Sequence, residues 1–180
     1  MQHLSFILSP SDLHATLHVM RPHEDRSFAA LRVVFGLVWL IDASFKWSPS
    51  FINNLTSYLT NGAQGQPALV QAWIHLWIIS VSVDPHLFAI LVALVETAIA
   101  LGLIFGFLSK LTMTGGMLMA LVIWSTAEGF GGPYMPGSTD IGTAIIYFIV
   151  FVALWLGKSW RYYSLDRVFY KRCGFKLGKW

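Results

Sequence analysis

LFAILVALVETAIALGLIFG, residues 87–106, is followed by a short break, FLSKLT (107–112), and then by MTGGMLMALVIW (113–124). Two apolar runs of near-spanning length are joined by a tight turn that carries Lys110. The hydrocarbon core of a bilayer takes about 20 mostly apolar helical residues to cross. Glu96 stands in the middle of the first run. A carboxylate at mid-depth costs roughly 2.5–3.5 kcal/mol on insertion scales, so it turns towards a polar interior rather than lipid. The hairpin predicts an integral membrane protein with an acid inside it.

The composition points the same way. Only 12% of the 180 residues are charged and the mean hydropathy is +0.61, whereas soluble domains carry roughly 25% charged residues. The net charge of +3 is concentrated in Lys and Arg at the two ends of the chain, which reads as membrane topology and not as a nucleic-acid surface. One cysteine, Cys173, excludes an internal disulfide, a CxxC redox pair and a cysteine-held iron–sulfur cluster. No cleaved signal peptide is expected, because no basic region, apolar run and small-residue cleavage site succeed one another at the N-terminus.

Working outward, residues 1–27 form an amphipathic N-terminal segment containing His3, His14, His18 and His23. His14 and His18 share a helical face; they suit either a surface helix on the membrane or a metal or haem ligand pair, and two histidines alone make a weak metal signature. The first span runs from about Phe28 to Trp47, with Arg32 placed to snorkel to the headgroups. Asp42 and Lys46 are four apart, acid first, the favourable order for a helical ion pair. They read either as an interfacial anchor or as half of a polar site. The connection 48–84 begins as a Ser-, Asn-, Gly- and Pro-rich loop with a short helix near 51–59. Asn54-Leu55-Thr56 matches a glycosylation sequon, a weak pattern. The 16-residue run 68–83, interrupted by Gln71, His75 and Ser80 and carrying Trp73 and Trp77, predicts an interfacial or re-entrant helix.

The second span covers about 85–107, the third 111–127 and the fourth 141–157, the last with Asp140 as a candidate cap. Ala89, Ala93, Thr97 and Ala100 put small residues on nearly one face, and Gly102, Gly106, Gly115 and Gly116 add further points of close approach. The basic, aromatic tail 158–180 suits a chain leaving the cytoplasmic leaflet. Arg21, Arg26 and Arg32 precede span one, Lys110 separates spans two and three, and the basic tail follows span four. The positive-inside rule then gives an all-α, four-helix membrane bundle, residues 28–157, with both termini cytoplasmic. Counting 68–83 as a fifth span would put basic segments on the wrong side.

This topology places Asp42, Lys46, Glu96, Glu128 and Asp140 in the outer half of the membrane. Polar groups in such bundles turn inward and pair, so one outward-opening pocket is predicted, with Lys46 as its fixed cation and Trp39, Trp73, His75 and Trp124 as candidate walls. For Glu128 and Asp140 the alternative is a separate cap or interfacial charge.

Three stretches resemble the DoxX/DoxD family. They are Arg32-xxx-Gly36 leading to Lys46, ETAIALGLIFGFLSKL at 96–111, and the ending WLGKSWRYYSLDR at 155–167 with its Ser-Leu-Asp. Their order and spacing cover most of 28–167. The long segment between spans one and two is more similar to DoxD, the membrane subunit of thiosulfate:quinone oxidoreductase, than to the shorter DoxX proteins. The resemblance implies a subunit passing electrons from thiosulfate to quinone with tetrathionate formation, beside a second small DoxA-like subunit. In that reading Glu96, Asp42 and Lys46 are the catalytic candidates, and Trp39, His75, Trp124, Glu128 and Asp140 bind substrate or quinone. Quinone is the electron acceptor, and no metal or haem is expected. The competing expectation is a non-catalytic accessory subunit of a larger respiratory membrane complex. A small transporter fits less well, since internal repeats and broken helix pairs are lacking.

Overall fold

The computed structural model describes residues 10–134 and 140–173. Among them lie seven α-helices and no strand: α1 (Pro10–Lys46), α2 (Pro49–Ala63), α3 (Ala68–Val81), α4 (Pro85–Phe105), α5 (Ser109–Ser125), α6 (Thr143–Leu156) and α7 (Leu165–Cys173). Within α1 the segment Arg26–Lys46, and all of α4, are long and apolar enough to cross a membrane. The backbone of α1 is continuous from Pro10. His3 and the side chains of His14 and His18 lie outside what is described.

Local chemistry sets the helix ends. Ser48 accepts from the Phe51 amide and Pro49 occupies the first turn of α2, so the helix starts within the stretch that reads as loop. It runs on to Ala63, longer than the short helix expected, with a kink at Asn54. Asp84 likewise accepts from the Leu87 amide and precedes Pro85 at the start of α4. α4 ends at Gly106, which has φ 63°, a left-handed conformation that glycine adopts without a Cβ penalty.

Two cores meet along α4. Its C-terminal half contributes Ile99, Ala100 and Leu103 to a core shared with Phe35 and Trp39 of α1, Met113 and Ala120 of α5, and Phe151 and Leu154 of α6. Its N-terminal end contributes Ala89 to a second core with Phe51, Leu55 and Leu59 of α2 and Ile74 and Val81 of α3. Glycines let the first core close. A Cβ on Gly36 would lie 2.9 Å from side-chain atoms of Leu103 and Ile104, and one on Gly116 would collide with the Phe151 ring.

The outer surface is apolar: Val34, Ile41 and Phe45 of α1 and Leu91, Leu94 and Val95 of α4 are exposed, while Arg32 and Glu96 are fully buried. Arg32 therefore does not snorkel. Its guanidinium donates to the Ser159 carbonyl at 3.0 Å and to the Tyr163 carbonyl at 2.6 Å, fastening α1 to the turn after α6. Those carbonyls are accessible because α6 has ended, and they give the buried cation two charge-assisted hydrogen bonds, while its Nε has no partner among the described residues.

Candidate functional site

Glu96 sits on α4 where the two cores adjoin, with no solvent exposure. Lys46, in the last turn of α1, donates to Glu96 Oε2 at 3.0 Å and to Asp42 Oδ2 at 3.2 Å. The Lys46 side chain keeps 18% of its surface exposed and Asp42 36%, so the cluster grades from a dry acid to a wet one. The Lys46 ammonium also lies 5.7 Å from the centre of the Phe51 ring, at the edge of the second core. Next in sequence, Trp47 donates its indole N–H to Thr97 Oγ1 at 3.0 Å, a second bond between α1 and α4 at the same level.

Two buried polar atoms here have no partner among the described residues: Glu96 Oε1 and the indole nitrogen of Trp39. Trp39 is fully buried and packs edge-on against Phe35 and Phe151, at 5.8 and 5.0 Å between ring centres, with Tyr147 at 5.2 Å. Tyr147 of α6 was not singled out by the sequence. Its ring packs against Phe35 at 5.6 Å and Trp39 at 5.2 Å between ring centres, which joins α6 to the α1 face next to the ion cluster. The available signal was a hydroxyl in the middle of an otherwise apolar run.

Glu128, Asp140 and Trp124 form a different group. The Glu128 carboxylate accepts from the amides of Thr143 and Ala144 at 3.0–3.3 Å, so it caps α6 from fifteen residues upstream. Asp140 accepts from the Gly142 amide at 2.9 Å and stays exposed. It holds the turn before the helix, while the capping expected of it falls to Glu128. Trp124 donates to the Ile141 carbonyl at 2.8 Å. His75 is on the exposed side of α3, beside buried Ile74, and Trp73 is exposed as well. The structure thus brings Asp42, Lys46 and Glu96 into contact, sets Trp39 in the adjoining core, and gives Glu128, Asp140 and Trp124 to the start of α6.

A second constellation gathers at the opposite end of α4. Asp166 accepts from the Leu108 and Ser109 amides, both at 2.8 Å, and so caps α5. Ser164 accepts from the Arg167 amide and donates to the Trp160 carbonyl. A Cβ on Gly106 would run into Ser164 and Arg32. Arg32, Gly106, Ser164 and Asp166 therefore converge as one structural knot.

Chemically, a desolvated carboxylate with one oxygen on an ammonium and one oxygen free can hold or pass a proton. Among the described residues no three His, Cys, Asp or Glu side chains are grouped as a metal site. No known protein family, characterised protein or solved structure matches the chain.

Proposed function

We propose that this chain is a multi-pass protein of the prokaryotic plasma membrane, a DoxX/DoxD-like subunit of a quinone-linked oxidoreductase that moves electrons from thiosulfate to quinone. Its four spans are α1 from Arg26, α4, α5 and α6, with α2 and α3 as a hairpin on the outer side and both termini cytoplasmic. Support comes from the length of two helices, the apolar outer surface, and the burial of Arg32 and Glu96 inside it. The convergence of Arg32, Gly106 and the Ser164–Asp166 turn gives the resembling stretches a shared physical role. α6 has 14 residues, about 21 Å at 1.5 Å per residue; a bilayer thins locally around a short span at modest cost.

The observation that carries the reading is Glu96, fully buried, bonded to Lys46 through one oxygen and unpartnered at the other. Two thiosulfate anions each lose one electron and join through a new sulfur–sulfur bond as tetrathionate. Quinone takes up those two electrons and two protons. Glu96 serves as proton donor at the membrane interior, Asp42 leads protons to it from the wet end, and Lys46 holds the charge balance between the two acids. The electrons reach quinone directly or through a DoxA-like partner's cofactor.

In membranes supplied with the partner subunit, Glu96→Gln abolishes thiosulfate-dependent quinone reduction while the protein remains in the membrane fraction. Unchanged turnover removes Glu96 from the mechanism. The second reading is an accessory, non-catalytic subunit, supported by the Lys46–Glu96 contact, which fastens α1 to α4 as a scaffold contact does. Co-purification with larger redox subunits whose turnover ignores Glu96→Gln selects that reading.

A further inference from the structure

A groove of about 480 Å³ lies between α4 and α5. It reaches from Val95 to Phe105 along α4, ten residues or about 15 Å of helix rise. That is half of the ~30 Å hydrocarbon core, the depth of one leaflet. Gly115 lines this groove, and a Cβ added there would meet nothing within 4 Å. Glycine in a helix interior costs roughly 1 kcal/mol relative to alanine. Gly36 and Gly116 recover that through close packing inside the protein, but Gly115 faces empty space.

At its Phe105 and Leu165 end the groove runs into a second hollow lined by Tyr163, Ser164 and Arg167. Arg167 lies 4.8 Å from the centre of the Tyr162 ring, and Arg26 lies 5.8 Å from the same ring. Two exposed guanidiniums are held on one ring, and neither has an ion-pair partner among the described residues. Asp166, next to Arg167 in sequence, has its two oxygens on the Leu108 and Ser109 amides. Arg167 lines the hollow into which the apolar groove opens, and Arg26 stands across the same Tyr162 ring, so two cations with no ion-pair partner among the described residues lie close to a channel one leaflet deep.

We infer that this groove and corner hold one anionic phospholipid, its phosphate on Arg26 and Arg167 and an acyl chain along α4 and α5 past Gly115. The charge pair selects the headgroup, and the length of the groove selects a lipid over a soluble phosphate. The inference rests on the membrane reading above and not on the quinone chemistry.

The test is native mass spectrometry of the full chain in neutral detergent, with added phosphatidylglycerol or phosphatidylcholine of matched chains. The wild type is expected to retain phosphatidylglycerol at least about tenfold better. Arg26→Gln with Arg167→Gln lowers that retention about thirtyfold, the weight of two basic residues near an anionic surface. Gly115→Leu leaves the thermal midpoint unchanged or higher and abolishes retention by filling the groove. Equal retention of phosphatidylcholine overturns the inference. So does undiminished binding in Gly115→Leu, displacement of the lipid by inorganic phosphate or by a neutral quinone, or an equally large loss from Lys158→Gln, which would mean diffuse attraction. Release of the wild type from membranes by alkaline carbonate refutes the membrane reading itself; firm membrane retention without lipid selectivity refutes this inference alone.

Discussion

Lys46 donates to Glu96 at 3.0 Å across 50 residues of chain, and the same ammonium holds Asp42 one turn back on its own helix. Glu96 has no exposure, so its charge is compensated chiefly by Lys46. Removing one partner of a buried pair costs about 3–5 kcal/mol, because the other charge stays desolvated, whereas replacing both with apolar groups is often neutral. Lys46→Met is therefore expected to destabilise towards the lower figure, since Lys46 keeps some exposure. Lys46→Met with Glu96→Met should recover most of the loss. Thermal unfolding in detergent reads both, and a neutral single variant would show that the pair does not hold α1 to α4.

Adjacent glycines on α5 should respond in opposite directions. A Cβ on Gly116 meets the fully buried Phe151 ring, while one on Gly115 meets nothing. Gly116→Ala forces the ring or the helix to shift and is expected to cost about 1–3 kcal/mol. Gly115→Ala gains about 0.8–1 kcal/mol of helix propensity. Equal effects of the two in one unfolding assay would contradict the α5–α6 packing.

Arg32 is held by two backbone carbonyls, at Ser159 and Tyr163, that only a forked donor satisfies together. Lysine keeps the charge and loses the fork. Arg32→Lys should cost about 2 kcal/mol, on the scale of one hydrogen bond to a charged group. It should also expose the segment after α6 to limited proteolysis before the rest of the chain. Cleavage that starts elsewhere would mean that Arg32 does not anchor the C-terminal turn.

The relations that sequence makes legible are the local ones. The length and apolarity of 26–46 and 85–105 announce those helices, and the four-residue spacing of Asp42 and Lys46 announces their contact. Glu96 reads as inward-facing because a carboxylate in an apolar run has a poor alternative outside. The rest depends on contacts between distant stretches. Arg32 looks like a snorkelling residue until Ser159 and Tyr163 are placed beside it. His75 sits within an apolar run, yet α3 packs through Ile74 and Val81, and this phase leaves the imidazole exposed. Tyr147 has no charged neighbour in sequence; its contact with Phe35 and Trp39 of α1 arises only when α6 packs beside that helix.

Glu128 and Asp140 are the sharpest case, because by sequence only Asp140 stands where a cap for α6 is expected. The carboxylate of Glu128 reaches the first amides of the helix, at Thr143 and Ala144, where unpaired N–H groups and the positive end of the dipole favour an anion. Asp140 reaches only Gly142, outside the helix. Glu128→Ala is expected to cost about 0.5–2 kcal/mol, the range for a lost cap, and to speed hydrogen exchange at Thr143 and Ala144. Glu128→Gln keeps an acceptor oxygen and loses only the charge, so its cost falls to about 0.3–1 kcal/mol. Asp140→Ala should leave those two amides protected. If Asp140→Ala speeds their exchange as much as Glu128→Ala does, the start of α6 is held by the turn and not by the distant carboxylate.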